Sequence, residues 1–135
     1  MSWRESLIKI ANHEVDTLQK RLAEIVDRRE AAQMRLLMLE AQAEAEMAHA
    51  DGDAALGFSR AGYLAGVKHH RETIQREINV IGQEEAGARD ALAQAFESQK
   101  KLERVAEMAR IAEAKVQARL ETAAMDEMGL RKKAS

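Results

Sequence analysis

At 135 residues the chain has room for one domain, and aromatic residues make up only 3% of it although 46% of the residues are hydrophobic. This composition, with 33% charged residues and no proline, is typical of long helices and excludes an ordinary globular domain built on a large core. The formal charge of -2 argues against nonspecific nucleic-acid binding, and the absence of cysteine excludes disulfides and thiolate metal sites.

The first helix is predicted over about residues 3–50. Ser2 and Glu5 fit a capping box at its start. From there the apolar residues advance alternately by three and four, which is the heptad repeat of a coiled coil. The heptad core positions of this helix are Ile8, Ala11, Val15, Leu18, Leu22, Ile25, Arg29, Ala32, Leu36, Leu39, Ala43, Glu46 and Ala50.

Residues 51–62 are predicted to form the tip of a hairpin. Glycine is concentrated in and just after this segment, and Gly52 suits the left-handed conformation that ends many helices. The long helical segments on either side would then run in opposite directions. The predicted fold is therefore all-α, with two long helices forming an antiparallel coiled-coil hairpin.

The second helix is predicted over about residues 63–128, and it is the longer of the two. Its heptad alternation continues from Leu64 to Ala123. Gly82 and Gly87 interrupt it, and we expect bending or close approach of the helices there. Gly129, followed by basic residues, is predicted to end the helix.

The charged residues within the heptad core predict the alignment of the two helices. If facing residues have numbers that add to 117, Glu46 faces Arg71, and Arg29 comes within reach of Glu85. A shift by a whole heptad in either direction buries unpaired charge, which costs several kcal/mol. In this alignment the second helix continues past the start of the first, so its last residues carry an apolar stripe without a partner in the chain.

No catalytic, cofactor-binding or metal-binding residues are predicted. The sequence lacks the phosphate-binding loop, nucleophile-elbow and paired-histidine zinc motifs, and a two-helix hairpin offers no pocket. His69 and His70 are adjacent, so they point about 100° apart on a helix and cannot share a metal ion. Met34, Leu37 and Met38 lie beside the heptad core and either broaden it or form an adaptable binding patch. We therefore expect a protein that is not an enzyme.

We expect a cytoplasmic protein without direct membrane insertion. The N-terminus has no apolar signal-peptide region, and no run of residues approaches the roughly 20 apolar residues that span a bilayer. A symmetric hairpin that binds RNA would need a basic face, and the charges here are interleaved.

The pattern resembles the flagellar type III export protein FliJ family and its injectisome counterparts of the YscO kind. The resemblance extends over nearly the whole chain: a capped first helix, a glycine-bearing tip, the stretch Tyr63-Leu64-Ala65-Gly66-Val67, and a longer second helix with a basic tail. It implies a non-enzymatic stalk between the export ATPase hexamer and the cytoplasmic domain of the export gate, with export chaperones as further partners. It also implies a peripheral position at the inner face of the cell membrane.

The resemblance further implies two binding surfaces. The export-gate-binding residues would be Tyr63, Val67, His70 and Ile74. The ATPase-binding residues would be Trp3, Arg4, Val116, Arg119, Leu120 and Ala123. The alternative is a self-associating coiled-coil scaffold unrelated to export, in which the apolar stripe between Val116 and Leu130 binds another copy.

Overall fold

The structure is a computed structural model that describes residues 2–50 and 57–134. Helix α1 spans Trp3–Ala50 and helix α2 spans Gly57–Ala134. All of the described residues except Ser2 are helical, and none of them belongs to a strand. The two helices pack against each other, so the prediction of an all-α helical hairpin with a longer second helix is confirmed.

The start of α1 is as predicted, whereas both ends of α2 differ from the prediction. Ser2 Oγ accepts a hydrogen bond from the Glu5 backbone N–H at 3.3 Å, as expected for an N-cap. Helix α2 begins at Gly57 and not at Tyr63. It also continues through Gly129 to Ala134, so the predicted stop at Gly129 is wrong. One glycine costs only about 1 kcal/mol relative to alanine, and the neighbouring residues favour the helix.

The interior glycines do not mark a close approach of the helices. A methyl group added at Gly82 or at Gly87 would meet no neighbouring atom within 4 Å. Close approach is therefore excluded at these two positions, and the alternative, a bend in the helix, stays a prediction. The predicted stop at Gly52 lies outside the described residues.

The hairpin divides into two compact units. The terminal unit consists of residues 2–15 and 94–134, and the tip unit consists of residues 16–50 and 57–93. The tip unit contains a continuous cluster of buried apolar side chains. The members of this cluster and the side chains packed against it are Ile25, Ala32, Ile81, Ala88, Leu22 and Ile78.

The predicted alignment of the helices is wrong by about one helical turn in the tip unit. Arg28 Nη1 lies 2.8 Å from Glu84 Oε2, and Arg35 Nη2 lies 2.7 Å from Glu77 Oε1. The numbers of each of these pairs add to 112, whereas 117 was predicted. A shift of three or four residues exchanges the two core positions of the heptad and keeps the core apolar, so the apolar pattern alone does not exclude it.

The corrected alignment changes one predicted ion pair and keeps another. Arg71 pairs with Glu40, with Arg71 Nε 3.4 Å from Glu40 Oε1, and not with Glu46 as predicted. The link between Arg29 and Glu85 is confirmed.

Candidate interaction surfaces

The residues predicted to bind an export gate lie near the start of α2, in the tip unit. Val67 and Ile74 are buried, Tyr63 is half-buried and His70 is exposed. The spacing of four, three and four residues keeps all of them near the side of α2 that packs on α1. Only Tyr63 and His70 therefore have surface that another protein could contact while the hairpin stays closed.

The surroundings of Tyr63 raise the pKa of its phenol. Partial desolvation raises the pKa of its phenol, and a hydrogen bond with the Glu46 carboxylate raises this pKa further. The phenol hydroxyl donates to the carboxylate, so loss of the proton would remove that bond and place two negative charges together. The start of α2 is thus tied to the end of α1 through a polar contact beside the core.

Farther along the tip unit, charged side chains link the two helices at their exposed edges. Arg35 and Glu77 form one such pair, and the hydrogen bond from the guanidinium is the main cause that lowers the pKa of Glu77. Arg28 Nη1 lies 2.8 Å from Glu84 Oε2 on the same helices. Exposed pairs of this kind contribute little stability individually, but they favour one alignment over its neighbours.

The terminal unit carries the N-terminal residues predicted to bind an ATPase. Trp3 is exposed, and the Arg4 guanidinium carbon lies 5.8 Å from the centre of its ring, within cation–π distance. Arg4 Nη2 also lies 2.6 Å from Glu113 Oε2 on α2. Arg4 therefore orients the indole ring and joins the start of α1 to α2.

Helix α2 continues beyond this contact as a segment without buried residues. Every residue from Ala112 to Ala134 is exposed, and we call this stretch the C-terminal segment. Val116 and Leu120 have exposed fractions of 54% and 60%, and Arg119 and Ala123 lie on the same segment. The structure thus brings Trp3 and Arg4 to the end of α2 from which the C-terminal segment extends.

The terminal unit carries a second set of exposed apolar side chains, which was not predicted from the sequence. Leu7 and Ile10 on α1, and Val105 and Met108 on α2, are all exposed. Each directly precedes a heptad core position. The sequence signal for this stripe is the set of residues that precede the heptad core positions by one, several of which are apolar in the terminal unit.

Met34, Leu37 and Met38 are exposed as well, so they do not broaden the buried core. Within residues 2–50 and 57–134, no cluster of three His, Cys, Asp or Glu side chains is arranged to hold a metal ion. None of the described helices has a stretch long and apolar enough to span a bilayer.

A family model described as the flagellar FliJ protein matches residues 5–134. The chain belongs to the flagellar FliJ family. Two similar relatives are the flagellar FliJ proteins of two Caulobacter vibrioides strains, each 53% identical over 132 residues, which cover 98% of this chain and 95% of the relative. No solved structure matches the chain.

The FliJ family match covers almost the whole of both helices. It includes the start of α2, with Tyr63 and His70, and the complete C-terminal segment, while Trp3 and Arg4 lie just before it. The resemblance inferred from the heptads and the tip is thereby confirmed. The family makes this chain a flagellar protein.

Proposed function

We propose that this chain is a non-enzymatic component of the flagellar export apparatus, a helical stalk that binds and stimulates the export ATPase ring and couples it to the export gate. Membership of the FliJ family supports a component of the export apparatus. The observation that carries the ATPase-binding role is the C-terminal segment, a helix of which every residue is exposed although it keeps an apolar stripe. We also propose that the chain binds export chaperones and is peripheral at the inner face of the cell membrane.

The C-terminal segment suits a partner that surrounds a helix. Val116 and Leu120 supply apolar contacts, which tolerate small changes of orientation because they are not directional. Arg119 lies beside them and can attract acidic groups in the lining of a ring, which speeds encounter more than it adds affinity. Trp3 adds a large exposed aromatic side chain at the same end, and such side chains often dominate binding energy.

The start of α2 is our proposed contact with the export gate. Because Val67 and Ile74 pack against α1, their part is to hold the helices together beneath the surface. Tyr63 and His70 would make the direct contacts. A gate that required Val67 or Ile74 as contacts would have to separate the helices first.

Removing the C-terminal segment tests the ATPase-binding role. Truncation before Val116 should abolish stimulation of the ATPase and leave the thermal unfolding of the hairpin nearly unchanged, because the deleted residues are exposed. In the full chain, Leu120→Glu should also weaken stimulation. Val80→Glu is the matched control, since Val80 is an exposed apolar residue of α2 in the tip unit. Full stimulation by the truncated protein would refute this role.

Substitution of His70 tests the gate contact. His70→Ala should reduce export and binding to the cytoplasmic domain of the gate, while ATPase stimulation and helix content stay at the level of the unsubstituted protein. His69→Ala is the control, because His69 is also exposed but points to a different side of the helix. Equal loss of export in both variants would argue against a defined contact at His70.

A further inference from the structure

The terminal unit exposes an apolar stripe on each of its two helices. On α1 the stripe consists of Trp3, Leu7 and Ile10, and on α2 it consists of Val105 and Met108, with exposed fractions between 39% and 64%. Leu7, Ile10, Val105 and Met108 each lie one position before a heptad core position, and each is therefore rotated by about 100° from the core direction on its own helix. Trp3 lies one turn before Leu7, on the same side of α1. Together these five side chains are called the apolar face.

The two stripes lie on the same side of the hairpin. In an antiparallel pair of helices, residues one position before the core on either helix turn toward the same side. The tip unit demonstrates this geometry, because Arg28 and Glu84 both directly precede core positions and their side chains meet at 2.8 Å. The equivalent positions of the terminal unit carry apolar side chains instead of an ion pair. The result is one exposed apolar surface that extends across both helices.

The apolar face ends in charges of opposite sign. Four residues after Ile10, the α1 stripe continues with the exposed Glu14. Four residues before Val105, the α2 stripe continues with Lys101, whose side chain is 74% exposed while its Nζ lies 3.2 Å from Glu97 Oε1. Because the helices are antiparallel, Glu14 and Lys101 flank the same end of the apolar face.

We propose that the apolar face binds a second copy of this chain and forms a symmetric four-helix bundle. A two-fold axis parallel to the helices lays α1 of one copy antiparallel to α2 of the other. The apolar stripe of α1 then covers the apolar stripe of the other copy's α2. Glu14 comes to lie over Lys101 of the partner subunit, and the symmetry creates this charge pair twice. This complementarity favours a second copy over an anionic lipid surface, which Glu14 would repel.

The apolar face is smaller than the interface of a stable dimer. Stable interfaces bury about 800 Å² on each partner, and five partly exposed side chains supply less, so we expect a dimer that dissociates on dilution. Dimerisation would also cover Trp3. If the proposed function is correct, dimer formation and ATPase binding therefore compete for this residue, and the competition is the one part of the inference that rests on the proposed function.

Sedimentation equilibrium of the pure full chain tests the dimer without any other protein. The apparent mass should rise with concentration toward twice that of the monomer. Ile10→Ser combined with Met108→Ser should weaken association at least tenfold and leave helix content unchanged, because both side chains are exposed. Val80→Ser is the control and should associate normally. A chain that is monomeric throughout, or a control that weakens association equally, would overturn the proposal, as would a monomer that binds anionic vesicles through this face.

A charge exchange tests the two-fold arrangement. Glu14→Lys and Lys101→Glu should each weaken the dimer, because like charges then face each other, and the double variant should recover most of the lost association. Failure of the double variant to recover association would overturn this geometry.

With the dimer measured independently, the Ile10→Ser, Met108→Ser variant should bind the ATPase more tightly at high protein concentration. Unchanged ATPase binding in a variant that no longer dimerises would refute the competition alone.

Discussion

The tip unit and the terminal unit use the same heptad pattern with different results. In the tip unit, Ile25 and Ile81 belong to a continuous buried cluster, and the positions beside the core hold ion pairs between the helices. In the terminal unit the buried residues are Ala11, Val15 and Ala95, and positions beside the core hold the exposed apolar side chains of Leu7 and Val105. The terminal unit thus places apolar side chains where the tip unit places ion pairs between the helices.

This difference predicts a large contrast in unfolding free energy between two substitutions of the same kind. Ile81→Asp places an unpaired charge in the tip-unit cluster and should destabilise the hairpin by about 3–5 kcal/mol. Leu120→Asp changes an exposed residue of the C-terminal segment and should have an effect of roughly 0.5 kcal/mol or less. Urea unfolding followed by circular dichroism measures both. Similar losses would mean that the C-terminal segment is packed in solution.

A smaller effect is expected from the ion pair at the centre of the tip unit. Glu85 contacts both Arg29 and Arg89, at 2.8 and 3.8 Å, and its side chain is largely buried. Glu85→Ala should destabilise the hairpin by about 1–2 kcal/mol, because the half-buried Arg29 guanidinium loses its partner. Adding Arg29→Ala should cost less than its separate effect, since the interaction is already absent.

The control for this pair lies in the terminal unit. Glu107 and Arg110 form an exposed ion pair within α2, with Oε1 and Nη2 2.6 Å apart. Glu107→Ala should change the unfolding free energy much less than Glu85→Ala does, as is usual for exposed pairs within one helix. Additive effects of the Arg29 and Glu85 substitutions would show that their contact contributes nothing to stability.

The sequence predicted the number and order of the helices because a heptad repeat and an N-cap are local patterns. It did not predict the alignment, since the alternating spacing fits the core equally well after a shift of half a heptad. The link between Arg29 and Glu85 does not decide between the two alignments, because side chains this long can meet in both. For this reason the sequence brought these two residues within reach of each other but did not identify them as direct partners.

The candidate sites were predicted less completely than the fold. The exposure of Val116 and Leu120 follows from the unequal lengths of the helices. The burial of Val67 and Ile74 also follows from the heptad, which counts both as core positions, although the family resemblance made them contact residues. The apolar face was missed because Leu7 and Met108 gain importance only when the two helices are placed side by side.

The smallest predicted effect concerns Tyr63, which belongs both to the proposed gate contact and to the internal polar links of the tip unit. As the chain's single tyrosine, it can be titrated by ultraviolet absorbance. Its pKa should lie above the ordinary value of 10.0, first because the phenol is partly desolvated and second because it donates to Glu46. A raised pKa in the folded chain stabilises the fold below pH 10, and that contribution is lost as the pH rises through the folded value.

Glu46→Gln removes the negative charge and should lower the midpoint of the tyrosine titration part of the way toward 10. Glu44→Gln, at an exposed residue of the same helix, should not move this midpoint. An unchanged midpoint in the Glu46 variant would mean that desolvation alone raises the pKa and that Tyr63 is not tied to α1 by this bond.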